Sequence, residues 1–318
     1  MRPEPRRNLA RPFLERILRT ARIGNGVLAC EPLGDGLRNS NFKLHLKSAP
    51  EPLVLRIYEH DPSLCRKESD LMRMLRGSVP VPEPIFVQPV HDEDLPPFAV
   101  LRWIPGITYR ELKRTGDSDD IAQAAFSAGE ILASIGRFTF PRSGWIGPGP
   151  MVQSPLLDGT DVMPRFADLC LASGTLQERM PDKLRSGVHA LMWSSAPALA
   201  ALEREPHLVH GDFSRRNLLV RQTKGRWQVA GILDWEFAVA GSPLADFGSF
   251  LRYQHYVEAH FSQGFVQAGG CLPPDATRLA LLLDLVALCE GLSRAELPAA
   301  CVLELLDLVR ATLERKSP

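Results

Sequence analysis

The spacing of apolar positions changes character near residue 105. Before it, apolar residues alternate or run in short blocks. NFKLHL (41–46) alternates with a period of two, PLVLRIY (52–58) reads as a buried strand, and FAVLRWI (98–104) as another. Between the last two, SLCRKESDLMRML sets Leu64, Leu71, Met74 and Leu75 on one side of a helix, predicted to end before Gly77 and the VPVPEP segment. Ahead of the first strand, Leu14, Ile17, Leu18 and Ala21 recur at helical spacing and predict a leading amphipathic helix.

After Pro105-Gly106 the period becomes helical. Ile121, Ala125, Ala128, Ile131, Leu132 and Ile135 share one face of a helix over 118–138, with Asp117 or Ser118 as its N-cap. A Gly- and Pro-rich stretch containing GWIGPGP (141–155) reads as a loop. Helical segments then continue to about Glu203 and resume from about Asp246. Between them, LLVR and WQVAGILDW flank Gln222–Arg226 and predict a hairpin within 207–239. The chain is therefore expected to be α+β and bilobal, with a β-rich N-lobe over 1–103 and a larger, mainly helical C-lobe over 104–318.

Composition narrows the function classes. Hydrophobic residues make up 45% and charged residues 23%, as in an ordinary globular protein. Lys plus Arg (37) equals Asp plus Glu (37), so no global field recruits nucleic acid or an anionic membrane. The six cysteines show no short paired spacing and read as reduced thiols. The N-terminal stretch lacks the continuous apolar run of a secretory signal, and LALLLDLVALC, carrying Asp284, is too short to span a bilayer. A cytoplasmic location is expected.

The chemistry concentrates in HLVHGDFSRRNLLV (207–220) and GILDWEFAVAGSPLADFGSF (231–250). Asp212 follows a short apolar run on a tight loop, and Asn217 comes five residues later. A carboxylate there suits orienting an attacking hydroxyl, and an amide oxygen suits a hard cation. Asp234 ends the apolar run Val229 to Leu233, 22 positions after Asp212, the separation a hairpin needs to return to the same place. Two acids and an amide delivered to one spot suit Mg²⁺, which takes few protein oxygens and completes its shell from phosphate and water.

HGDFSRRN followed by ILDWE resembles the aminoglycoside phosphotransferase and choline kinase superfamily, whose fold is similar to that of protein kinases. The resemblance runs from about Leu33 to Arg252. It implies a phosphotransferase with Asp212 as catalytic base, Asn217 and Asp234 as Mg²⁺ ligands, and Asp246 bracing the catalytic loop. In the N-lobe it implies a glycine-rich turn at PLGDGLRNSNFKL, where Gly34, Gly36, Ser40 and Asn41 would approach phosphate oxygens. Arg56 stands where protein kinases carry a lysine, with Glu68 as its helix partner, and backbone groups from Arg102 to Ile104 would read the purine edge. The implied cofactors are Mg²⁺ and ATP, with GTP as the alternative.

Two departures point away from protein substrates. Gly211 replaces the arginine of the protein-kinase His-Arg-Asp triplet, and only 12 residues separate Asp234 from Asp246, too few for a long activation segment. The expected partner is a small-molecule hydroxyl acceptor of unassigned identity. An aminoglycoside-inactivating kinase would want acids to meet a polycation, for which Glu236, Glu258, Glu290 and Glu296 are candidates. A catalytically silent nucleotide-binding module acting through a partner is the alternative from another class. Nothing in the sequence requires a dimer.

Overall fold

The computed structural model describes residues 9–24, 26–34, 39–92 and 95–315. The first part of the chain runs α1 (Arg11–Ala21), β1 (Val27–Pro32), β2 (Ser40–Leu46), β3 (Leu53–Ile57), α2 (Ser63–Leu75), β4 (Pro84–Gln88) and β5 (Phe98–Arg102). The five strands form one antiparallel sheet in the order β1-β2-β3-β5-β4. Alternation sorts its side chains onto two faces. Phe42, Leu44, Leu55 and Val100 pack with Leu14, Ile17 and Leu18 of α1 in one apolar cluster. Asn41, Arg56 and Ala99 are register partners and so share the other face. The helical spacing of α1 and α2 and all three strands read from the sequence are present.

The second part is mainly helical. It opens with β6 (Ile107–Thr108), α3 (Tyr109–Thr115) and α4 (Ser118–Ile135). Asp117 caps α4 through a reciprocal capping box with Asp120, its carboxylate accepting the Asp120 N–H at 2.8 Å. Then come β7 (Gly144–Ile146), β8 (Val152–Ser154), α5 (Val162–Ala172), α6 (Gly174–Arg179), α7 (Asp182–Ser194) and α8 (Ala196–Ala201). The chain continues through β9 (His207–Val209), β10 (Leu218–Thr223), β11 (Arg226–Ile232), β12 (Val239–Gly241) and α9 (Leu244–Leu251). A 3₁₀ turn (His255–Val257) precedes α10 (Glu258–Gln267), α11 (Ala276–Ser293) and α12 (Ala299–Glu314). Among the described residues no helix is long and apolar enough to cross a membrane.

The hairpin expected within 207–239 is β10 and β11, paired antiparallel from Leu218↔Ile232 to Thr223↔Arg226. Its two-residue turn, Lys224-Gly225, has φ +50° and +78°, the left-handed pair that suits the twist of a tight hairpin. The stretch 141–155, expected as loop, departs from that reading. It contributes β7 and β8 to a four-stranded sheet ordered β8-β7-β12-β9. These strands are three residues each; β8 pairs with the nearby β7, and β7 pairs with the distant β12, so a run this short gave no sign of them.

α4 and α10 are packed backbone to backbone. A Cβ on Gly129 would lie 2.0 Å from the Phe261 carbonyl oxygen, and one on Gly264 would lie 2.0 Å from that of Phe126. Only a residue without a side chain fits either place.

Candidate active site

The loop between β9 and β10 carries Asp212 and Asn217, and its shape is fixed from behind. The Asp246 carboxylate on α9 accepts the His210 N–H at 2.6 Å and the Gly211 N–H at 3.0 Å, so it braces the loop as the resemblance implied. Burial pushes the Asp246 carboxyl up to about 7, against the pull of the N–H groups of His210, Gly211 and Phe213. His210 is a second brace. Its Nδ1 accepts the Asp212 N–H at 3.1 Å, so its Nε2 carries the proton donated to the Leu233 carbonyl at 2.9 Å. Burial holds this imidazole down at about 4, the neutral form that the two bonds require.

Gly211 permits the turn. Its φ is +81°, and a Cβ there would lie 2.3 Å from the Phe237 carbonyl oxygen. Beneath the loop, Phe213 is fully buried and continues into Phe250 (ring centroids 6.0 Å apart), which stacks on Phe261 at 4.1 Å. The apolar positions of α9 and α10 thus position the loop.

Asn217 Nδ2 donates to Asp212 Oδ2 at 2.8 Å and to the Asp212 carbonyl at 3.0 Å. The amide nitrogen is therefore turned onto the aspartate, leaving the amide oxygen as a donor atom for a ligand. The Leu233 N–H donates to the Asn217 carbonyl at 2.9 Å, which ties the two ends of the hairpin together. Asp234 follows at once in a left-handed conformation, φ +68°. Burial, then the negative charge of Asp234, raises the Asp212 carboxyl above its ordinary value, while Arg252, Ser214 and Asn217 oppose that shift.

The N-lobe reaches the same place. Arg56 Nη2 bonds Glu68 Oε1 at 2.8 Å and Asp234 Oδ1 at 2.6 Å, and Tyr58 donates to the other Glu68 oxygen at 2.8 Å. Burial works to release the Arg56 proton, but Glu68 and Asp234 outweigh it and hold the guanidinium charged. Burial also pushes Glu68 up to about 7. Carboxylate oxygens of Glu68, Asp234 and Glu236 lie within 4.8 Å of one another, a hard-oxygen set of the kind that suits Mg²⁺. Lys67 Nζ donates to the Glu236 carbonyl at 2.7 Å and Asn39 Nδ2 to the Glu236 carboxylate at 3.4 Å. Burial lowers Lys67 to about 8.

Of the residues expected to contact the nucleotide, Asn41 shares the sheet face of Arg56. Ser40 lies on the opposite face, nearly fully buried, and donates to Glu59 at 2.9 Å. Strand alternation separates it from its neighbour. Gly34 has φ +61° and open space where a Cβ would sit, and Gly36 lies outside the described residues. The Arg102 N–H is taken by the Glu83 carbonyl at 2.9 Å and its guanidinium by the Glu83 carboxylate. Ile104 packs over Gly231 of β11. Among the acids weighed for a polycation, Glu236 is buried, Glu258 accepts from Thr277, and Glu290 clamps Arg294 through both oxygens. Glu296 is exposed.

Lys67 and His210 were not singled out from the sequence. Lys67 sits beside Glu68 in a charged helical stretch and looks like a solvated side chain there. Its only signal is that it precedes the acid of the Arg56 pair.

A β-rich lobe whose arginine–glutamate pair meets Asp234 beside a braced Asp-Asn loop is the arrangement of a kinase-like phosphotransferase. The phosphotransferase enzyme family model matches residues 29–282, and the chain belongs to that family. Its fold is similar to that of a thermostable mutant of aminoglycoside phosphotransferase APH(4)-Ia, in ternary complex with ADP and hygromycin B. That match has TM-score 0.68 and 18% identity, covering 96% of this chain and 99% of the other. The GDP complex of aminoglycoside 2′-phosphotransferase-IIIa is similar at TM-score 0.70 and 19% identity, with 96% and 99% covered. Acyl-CoA dehydrogenase family member 11 of Gallus gallus is 26% identical over 70% of this chain, and family member 10 of Mus musculus 24% over 65%. The chain spans only 27% and 19% of those two relatives.

Proposed function

We propose that the protein transfers the γ-phosphoryl group of ATP, or of GTP, to a hydroxyl of a small molecule, with Asp212 as the base. The acceptor oxygen attacks the γ-phosphorus, the bond to the β–γ bridging oxygen breaks, and the nucleoside diphosphate leaves. The hydroxyl proton passes to Asp212, whose raised basicity suits that task. Asn217 holds the carboxylate in place and Arg56 offsets charge on the phosphates. Mg²⁺ would be held by Asn217 and Asp234, where it would screen the phosphate oxygens. The lobe boundary at 103/104 and a cytoplasmic location belong to the same reading.

The observation that carries the proposal is the meeting of Asp212, Asn217 and Asp234 at one hairpin, with Arg56 reaching Asp234 from the other lobe at 2.6 Å. Aminoglycosides enter the acceptor panel because both similar solved structures are aminoglycoside phosphotransferases, one of them holding hygromycin B. Hydroxylated acyl thioesters enter because both curated relatives are named for acyl-CoA chemistry.

The test is nucleotide turnover with Mg²⁺ across amino sugars, aminoglycosides, macrolides, choline, homoserine, sugars and hydroxyacyl thioesters, for wild type and Asp212→Ala. An acceptor-dependent rate that falls by about 10²- to 10⁴-fold in the variant, with nucleotide affinity retained, is expected. Near-normal turnover by Asp212→Ala would overturn the assignment.

A further inference from the structure

The catalytic loop carries two arginines, Arg215 and Arg216, between Asp212 and Asn217, and the mechanism above uses neither. The Arg110 N–H of α3 donates to the Arg215 carbonyl at 2.8 Å, which sets α3 against the loop. That helix adds Arg110, Lys113 and Arg114, with Glu111 as its one acid. Two of these cations are anchored without any carboxylate. The Arg215 guanidinium lies 4.3 Å over the Tyr253 ring, and its Nε is buried with no hydrogen-bond partner. Lys113 Nζ donates to the Tyr253 carbonyl at 3.2 Å and sits 5.2 Å over the ring of Tyr256, which is 63% exposed. Burial, then the nearby Glu304, raises the Tyr253 hydroxyl above its ordinary value.

Among the described residues, none of Arg110, Lys113, Arg114, Arg215 and Arg216 has an ion-pair partner within 4.0 Å. Like charges do not gather unneutralised without cost. Burial and the charge of Arg215 lower the Lys113 ammonium below its ordinary value. The rings and the Tyr253 carbonyl hold the two cations in place without a carboxylate. Two cations anchored in this way suit recognition of an anion.

We propose that Lys113 and Arg215 form a subsite for a phosphate group on the acceptor, so the substrate is a phosphorylated hydroxyl compound, not a polycation. The inference rests on the kinase reading and names the acceptor class for it. The acceptor's phosphate takes no part in bond making. It supplies binding energy remote from the reacting hydroxyl and so positions that hydroxyl.

The experiment compares matched acceptors, glucose against glucose 6-phosphate, and the N-acetylcysteamine thioester of 3-hydroxybutyrate against its coenzyme A thioester. The first pair reports a sugar phosphate and the second a nucleotide-type phosphate. In wild type, kcat/KM is expected to favour the phosphorylated member of at least one pair by about 10- to 100-fold. Arg215→Gln and Lys113→Gln should each collapse that ratio towards one, and Arg215→Lys should keep part of it. A wild type that turns over both members of each pair equally, or a preference that survives in the double variant, overturns the subsite and leaves the kinase reading standing. Should no acceptor turn over, coenzyme A titrated calorimetrically into protein saturated with MgADP decides the matter. Binding lost in Arg215→Gln supports the subsite while the kinase reading fails; binding that is absent, or unchanged in the variant, overturns the subsite.

Discussion

Gly211 offers a quantitative test because a second glycine supplies its control. Gly211 and Gly225 have nearly the same backbone, φ +81° and +78°. An alanine at either bears the same left-handed penalty of about 1–2 kcal/mol. They differ in surroundings. A Cβ at Gly225 has open space, whereas one at Gly211 lies 2.3 Å from the Phe237 carbonyl oxygen, roughly 1 Å inside ordinary contact. Relief requires the 210–212 loop or the turn after Asp234 to move by about that much. The movement disturbs the Asp246 bonds to His210 and Gly211 and displaces Asp212 itself. Gly211→Ala is therefore expected to lose about 2–4 kcal/mol in urea unfolding and about 10²-fold in kcat. Gly225→Ala should lose about 1–2 kcal/mol and leave kcat within about twofold. Equal stabilities and equal kcat for the two variants would refute the reasoning, since backbone strain alone would then account for both.

Two further outcomes concern buried charge. His210 titrates at about 4 in the folded chain and near 6.5 when unfolded, so stability is lost as pH falls between those values, by about 1.4 kcal/mol per unit. Glu68 and Asp246, both pushed up to about 7, act in the opposite sense over much of that window. The reading is therefore the difference in urea-unfolding slope between wild type and His210→Asn, and identical slopes would count against a neutral buried imidazole. Arg252 pairs with the buried Asp284 of α11 through three contacts of 2.6–3.1 Å. Arg252→Met should cost about 3–5 kcal/mol by stranding that carboxylate, and adding Asp284→Leu should restore much of the loss; a double variant no better than the single would refute this.

Much of this arrangement was legible because it is local. The alternation in NFKLHL, the apolar phase of SLCRKESDLMRML and the turn between LLVR and WQVAGI each depend on neighbours within a few residues, and each formed where pattern placed it. The Asp212, Asn217 and Asp234 grouping was legible for a related reason, since one hairpin sets their distances. What escaped was contact between distant segments. β12 pairs with β7, about 95 residues before it, and with β9, which ends 30 residues before it. The bond from Lys67 to the Glu236 carbonyl joins residues 169 apart in sequence, and no periodicity marks it. Ser40 shows a subtler failure: its adjacency to Asn41 suggested a shared role, but adjacent strand residues face opposite ways.

The glycine contact between α4 and α10 has a mechanical consequence. Helices that accommodate motion do so by sliding across a layer of interdigitated side chains. At Gly129 and Gly264 there is no such layer, and each backbone rests against a carbonyl of the other helix. The C-lobe is locked there like an anvil.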